Sequence, residues 1–140
     1  TWPRSFMPAN QAVRSQVAKM KQIPVPELIE GKKLLFVDDS IVRGTTCAKL
    51  VDMLKEAGAK EVHMRISAPP FVWPCYFGTD VPSKKHLLAC NYTIDEICKM
   101  IGADSLGFMP VERLSEIVPN IRCGFCDGCF TGNYPYEHEE

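Results

Sequence analysis

The sequence has no apolar stretch near the ~20 residues needed to span a bilayer, and its opening Thr1-Trp2-Pro3-Arg4-Ser5-Phe6 lacks the pattern of a signal peptide. Neither a membrane segment nor a secretory leader is predicted, and the natural location is the cytoplasm. There is also no cluster of basic residues. The 16 Lys and Arg are balanced by 17 Asp and Glu, for a formal charge of −1, so nothing advertises a nucleic-acid or membrane partner. The Lys32-Lys33 pair reads as a solvated entry to a strand. Internal repeats and low-complexity segments are absent, and so is an initiator Met. The chain is expected to be a piece of a longer protein, starting within a domain.

What is present suits one globular unit. At 140 residues, 46% hydrophobic and 24% charged, the chain is long enough to bury a core. Residues 9–20 place Ala12, Val13, Val17 and Met20 at helical spacing, and the prolines at 24 and 26 make residues 22–26 a connector. Leu34 to Asp38 reads as a strand buried on both faces of a parallel sheet. Thr45 to Ala57 reads as a helix with Ala48, Leu50, Val51, Met53 and Leu54 on its apolar stripe, ended by Gly58 in a left-handed conformation. Val62 to Ser67 alternates as a strand that buries Val62, Met64 and Ile66, and Pro69-Pro70 stops it. Short helices follow over 82–88 and 93–101, the second capped by Thr93 to Glu96 with Ile94, Ile97, Cys98 and Ile101 inward. A last strand over 105–108 and a last helix over 111–118 complete the reading. The β-α-β order over 34–67 implies a right-handed parallel unit.

The chemistry concentrates where the first strand ends, in Asp38-Asp39-Ser40-Ile41-Val42-Arg43-Gly44-Thr45-Thr46. In open α/β sheets ligands bind at the carboxyl ends of strands. Here that end carries two acids, then a glycine that lets backbone N–H groups close on an anion, two hydroxyls, and the start of a helix. Acids beside a phosphate cradle would repel the ligand unless they meet hydroxyls or a divalent cation, and a ribose 5-phosphate satisfies both conditions. A solvated strand end with Thr45 as helix cap would explain these residues singly, but not their meeting in one window.

The seven cysteines are an odd count in a chain expected to be cytoplasmic, which argues against a disulfide framework. Cys123, Cys126 and Cys129 follow one another at a spacing of three with small residues between, so that several sulfurs can turn toward one metal centre. Spacing leaves zinc and a [4Fe–4S] cluster both open. Cys47, Cys90 and Cys98 lie in helical patterns and read as small hydrophobes. His63 and His138 read as solvated, His86 has no partner at a telling spacing, and Asp80 reads as a turn residue. Arg4 and Arg14 read as surface charges.

The 34–46 segment resembles the type I phosphoribosyltransferases, whose hallmark is an apolar strand, two acids and a phosphate loop ending Gly-Thr. With Glu56-Ala57-Gly58-Ala59-Lys60-Glu61-Val62-His63 and Ser67-Ala68-Pro69-Pro70, the likeness narrows to the amidophosphoribosyltransferases, the glutamine phosphoribosylpyrophosphate amidotransferases, and covers nearly the whole chain. The resemblance implies an α/β architecture: part of a type I phosphoribosyltransferase fold, a parallel sheet flanked by helices, with a cysteine-rich carboxyl-terminal tail. Residues 1–118 would be a partial phosphoribosyltransferase domain, and 119–140 a tail that binds metal or an iron-sulfur cluster.

By motif position, the resemblance gives Asp38 and Asp39 the ribose hydroxyls and the placement of magnesium. Ser40, Val42, Arg43, Gly44, Thr45 and Thr46 receive the 5-phosphate of phosphoribosyl pyrophosphate, and no residue is assigned catalysis. One branch of the family carries a [4Fe–4S] cluster. Carried over, its ligands are Cys126 and Cys129, which precede Phe130-Thr131-Gly132-Asn133-Tyr134-Pro135, and Cys75 in Pro74-Cys75-Tyr76. The fourth ligand is expected before residue 1, unless Cys123 substitutes.

The implied reaction is the first committed step of purine synthesis. Glutamine is hydrolysed in an amino-terminal domain, and the ammonia attacks C1 of phosphoribosyl pyrophosphate, expelling pyrophosphate to give 5-phosphoribosylamine. The glutaminase domain, the pyrophosphate loop and the mobile flap are expected upstream, so residues 1–140 alone are expected to be inactive. Purine nucleotides are the expected feedback inhibitors, and the full-length protein is expected to be a homo-oligomer. Two rival classes are a non-enzymatic phosphoribosyl pyrophosphate sensor, which would need a DNA-binding segment, and a metal-stapled interaction module.

Overall fold

The computed structural model describes residues 23–78, 83–117, 120 and 122–136. The helix expected over 9–20 lies outside the described residues, as do Arg4, Arg14, Asp80 and His138. Three parallel strands, β1 (Lys33–Asp38), β2 (Glu61–Ile66) and β3 (Ser105–Phe108), form a sheet in the order β1-β2-β3. The helices are α1 (Pro26–Ile29), α2 (Thr45–Glu56), α3 (Leu88–Asn91), α4 (Ile94–Ile101) and α5 (Gly128–Thr131), with 3-10 turns at Lys84–His86 and Val111–Ile117. This is the α/β arrangement the sequence predicts.

The core lies on one face of the sheet. The register pairs Leu34 with Val62 and Phe36 with Met64, and continues to Leu106 and Phe108 on β3. Against this face pack Leu50, Val51 and Leu54 of α2 and Ile97 and Ile101 of α4, all buried. Gly58 has φ +93° and reverses the chain after α2, as expected. Thr93 and Glu96 form a reciprocal capping box that starts α4.

Several expectations need correction. Among the described residues β1 is not covered on both faces: Leu35 is 68% exposed and Val37 63%, because the described helices pack on the side that carries Leu34 and Phe36. The residues after Ile23 are not all connector, since Pro26 opens the single turn α1 from the first helical position, where its missing N–H costs nothing. The 82–88 helix is instead a 3-10 turn followed by α3, and 111–118 is a 3-10 helix ending at Ile117. Ile94 is 44% exposed, because the first residue of α4 lies off the stripe that meets α2. His63 is held on the open face of the sheet: its ring meets Ser105 Oγ at 2.8 Å and Glu61 Oε2 at 2.9 Å. Cys90 is exposed and Cys98 half-buried, so of the three cysteines read as small hydrophobes only Cys47 is fully in the core.

Candidate functional site

The two acids stand where β1 runs out. Asp38 is the last strand residue and Asp39 the first of the loop, whose backbone is fixed from β2: Ser67 N–H donates to Asp38 O at 3.0 Å and Ala68 N–H to Asp39 O at 2.9 Å. The Ser67 hydroxyl adds longer contacts of 3.2 and 3.3 Å to the same two carbonyls. Within the loop, Asp39 N–H donates to Asp38 Oδ1 and Ser40 Oγ donates to Asp39 Oδ1, both at 2.9 Å. Each carboxylate keeps further lone pairs for a ligand or cation.

Ile41 anchors the loop by burying its side chain in the main core. Val42 O accepts from Leu88 N–H at 3.1 Å. Gly44, at φ +72°, is the residue before the first turn of α2, and a Cβ there would collide with the Leu88 side chain. Gly44, not Thr45, thus occupies the cap position, and no side-chain cap bond forms. The hydroxyls of Thr45 and Thr46 lie exposed at the start of a three-turn helix, where orphan N–H groups and the helix dipole favour an anion. The structure therefore gathers Asp38, Asp39, Ser40, Val42, Arg43, Gly44, Thr45 and Thr46 into one continuous turn at the carboxyl end of the sheet.

Three supporting residues were not singled out from the sequence. Ser67 and Leu88 brace the loop from elements distant in sequence. Cys47, read only as a core hydrophobe, also places its Sγ 3.5 Å from Asp38 Oδ2. Burial, followed by the charge of Asp38, pushes its thiol up to about 12, so it stays a protonated donor beside the acid.

A second assembly joins the Cys75 segment to the tail. Val72 and Trp73 N–H groups both donate to Cys129 O, at 3.1 and 3.0 Å. Phe71 and Leu87 form a buried apolar cluster with Val42, Cys75, Cys129 and Phe130, in which the Phe71 and Phe130 ring centroids are 5.0 Å apart. Tyr134 OH donates to Pro74 O at 2.6 Å. Burial, and then the neighbouring Cys75, pushes the Cys129 thiol up to about 11, with Cys126 adding to it. Burial, then Tyr76, then these thiols push the Tyr134 hydroxyl up to about 12. Cys123 is exposed. Among the described residues, no three His, Cys, Asp or Glu side chains converge on a single ion.

Known proteins resemble this chain over nearly its whole length. The chain is 48% identical over 137 residues to the chloroplastic amidophosphoribosyltransferase of Glycine max, covering 98% of this chain and 24% of that protein. This chain is homologous to the amidophosphoribosyltransferases. The Bacillus subtilis amidophosphoribosyltransferase is 46% identical over 138 residues, covering 96% of this chain and 29% of that one. A solved glutamine phosphoribosylpyrophosphate amidotransferase from B. subtilis, in complex with ADP and GMP, superposes with a TM-score of 0.75 at 43% identity. A second solved structure, described as the allosteric regulatory enzyme of purine biosynthesis, gives 0.74 at 42% identity. Each of these covers 96% of this chain and 30% of its own. No protein-family model matches the chain. The chain thus spans less than a third of the length of these relatives, and over that stretch it shares the phosphoribosyltransferase fold of the amidophosphoribosyltransferases.

Proposed function

We propose that residues 38–46 bind the ribose 5-phosphate part of phosphoribosyl pyrophosphate within an amidophosphoribosyltransferase that makes 5-phosphoribosylamine from phosphoribosyl pyrophosphate and glutamine. The observation that carries this reading is the turn at the end of β1, where two acids and a left-handed glycine are held against the N-terminus of α2. The N–H groups from Val42 to Thr46 and the hydroxyls of Ser40, Thr45 and Thr46 take the phosphate, while the Arg43 guanidinium supplies positive charge. Asp38 and Asp39 accept from the ribose hydroxyls. Magnesium, held with help from these carboxylates, supplies charge compensation for the pyrophosphate. The work of these residues is positioning: they fix C1 of the sugar where an amine can reach it.

Residues 1–140 alone are expected to bind but not to turn over. Purine nucleotides carry the same ribose 5-phosphate and are the expected competitors for the loop, in a homo-oligomeric whole protein. For Cys75, Cys126 and Cys129 we favour a [4Fe–4S] cluster over zinc. A tetrahedral zinc with sulfur at about 2.3 Å draws its ligands tightly together. An iron-sulfur cluster would take the same thiolate donors, and the resemblance to the iron-sulfur branch by motif position is what favours it here. The sulfur-only donor set, with Cys75 and Cys129 half-buried and Cys126 exposed, suits that group, which would supply structural cross-linking between the tail and the Cys75 segment. All seven cysteines are free, which fits a reducing compartment such as the cytoplasm. No described helix is long and apolar enough to cross a membrane.

The test is ammonia-dependent phosphoribosylamine formation by the protein that carries this chain, with Asp38→Asn and Asp39→Asn. Each variant is expected to lose at least ten-fold in kcat/KM for phosphoribosyl pyrophosphate. Wild-type activity in the double variant would refute the assignment.

A further inference from the structure

The geometry points to Tyr134 as the positioning residue that holds the Cys75 loop against the segment carrying Cys126 and Cys129, so that the two halves of the thiol site are joined before a cofactor arrives. This rests on the thiol-ligated cofactor proposed above and adds a residue that ligates nothing. The sulfurs come from two segments far apart in sequence: a loop through Pro74-Cys75, and the turn and short helix that carry Cys126 and Cys129. Three thiols cannot draw these segments together, because once ionised they repel one another. The attachment must come from other atoms.

Tyr134 provides it from both sides. Its hydroxyl donates to Pro74 O at 2.6 Å, one residue before Cys75. Its ring lies against Gly128, between Cys126 and Cys129, so closely that a Cβ at Gly128 would overlap the ring. Tyr76, the residue after Cys75, packs edge-on to the same ring with centroids 5.1 Å apart, and Phe77 follows at 6.0 Å.

The route that returns Tyr134 over Gly128 is itself built in. Gly132, at φ +82°, ends α5, and the Trp73 ring lies against it where any Cβ would intrude. Thr131 Oγ1 then accepts from Asn133 N–H at 3.1 Å and closes the turn. With the two bonds from Val72 and Trp73 to Cys129 O, the Cys75 loop is fixed to the tail at both ends. Residues that orient ligands from behind in this way typically govern metal-site affinity by ten- to a hundred-fold.

The experiment uses the whole protein purified anaerobically, with Tyr134→Phe, Tyr134→Ala and Gly128→Ala. It reads iron, sulfide and zinc content, the visible absorption of the bound group, and its rate of loss to a chelator. It also reads the melting temperature of each protein after the group has been removed. Tyr134→Phe keeps the ring and loses the hydroxyl that bonds Pro74. It is expected to speed cofactor loss about ten-fold while the melting temperature of the stripped protein stays near wild type. Tyr134→Ala and Gly128→Ala are expected to speed it further. A metal-bearing wild type whose Tyr134→Phe variant retains the group at the wild-type rate would overturn the role of Tyr134 alone. A wild type holding neither iron nor zinc would overturn the cofactor reading and this inference with it.

Discussion

At the scale of single residues, the loop proposed to hold phosphate depends most sharply on Gly44. Its positive φ and its contact with Leu88 both exclude a side chain. Gly44→Ala is expected to destabilise the protein by roughly 1–3 kcal/mol and to weaken phosphoribosyl pyrophosphate binding more than ten-fold, as read by urea denaturation and titration calorimetry. Unchanged affinity would show that the loop tolerates a different path.

Asp104 offers a residue-scale test in pH. Its carboxylate accepts from Val62 N–H at 2.7 Å and lies 3.6 Å from Lys55 Nζ. The N–H bond, followed by Lys55, holds it below its ordinary value of 3.8. A lowered carboxylate contributes stability that is present above its unfolded value and is lost as pH falls through the folded one. Wild type is therefore expected to lose stability more steeply below about pH 4 than Asp104→Asn does. Parallel slopes in denaturant titrations at pH 7 and about pH 3 would contradict this. The acids, glycine and hydroxyls of the loop were legible in the sequence because they are local. Ser67 and Leu88 were not, because what they do depends on which backbone groups the fold places beside them.

At the scale of elements, α4 shows how much a local rule can carry. The pattern Thr93-x-x-Glu96 predicts a capping box, and both reciprocal bonds form: Thr93 N–H to Glu96 Oε2 at 2.8 Å and Glu96 N–H to Thr93 Oγ1 at 3.3 Å. Thr93→Ala is expected to cost about 1 kcal/mol of stability, measured by chemical denaturation, and an unchanged midpoint would show that packing on α2 alone starts the helix. Strand β3 and the Gly58 stop were read from the same kind of local signal. The reading failed where a run of apolar residues had to be assigned to faces. Leu34 to Val37 is apolar throughout, yet whether Leu35 and Val37 are covered depends on the number of layers present, which periodicity does not encode. The short helix α5 was missed for another reason: four residues that begin at Gly128 and stop at Gly132 carry no period to detect.

For the molecule as a whole, two polar centres meet in one apolar cluster. Val42 of the phosphate loop packs with Phe71 and Leu87 in the same group as Cys75, Cys129 and Phe130, so the loop and the thiol tail are seated on common ground. The sequence divides the chain near residue 118. The packing of Phe130 on Phe71 and the bonds from Val72 and Trp73 show how closely the tail lies on the Phe71–Cys75 segment. That seating was not visible from cysteine spacing, which speaks of ligand number and not of what the ligands rest against.

The central claim is that residues 38–46 hold a ribose 5-phosphate. The most direct measurement is a backbone amide NMR titration with ribose 5-phosphate in the presence of magnesium. The account predicts saturable shifts that are largest at the amides of Ser40 to Thr46, and their loss in Gly44→Ala. Shifts that are absent from this loop, or that centre on another part of the chain, would contradict it.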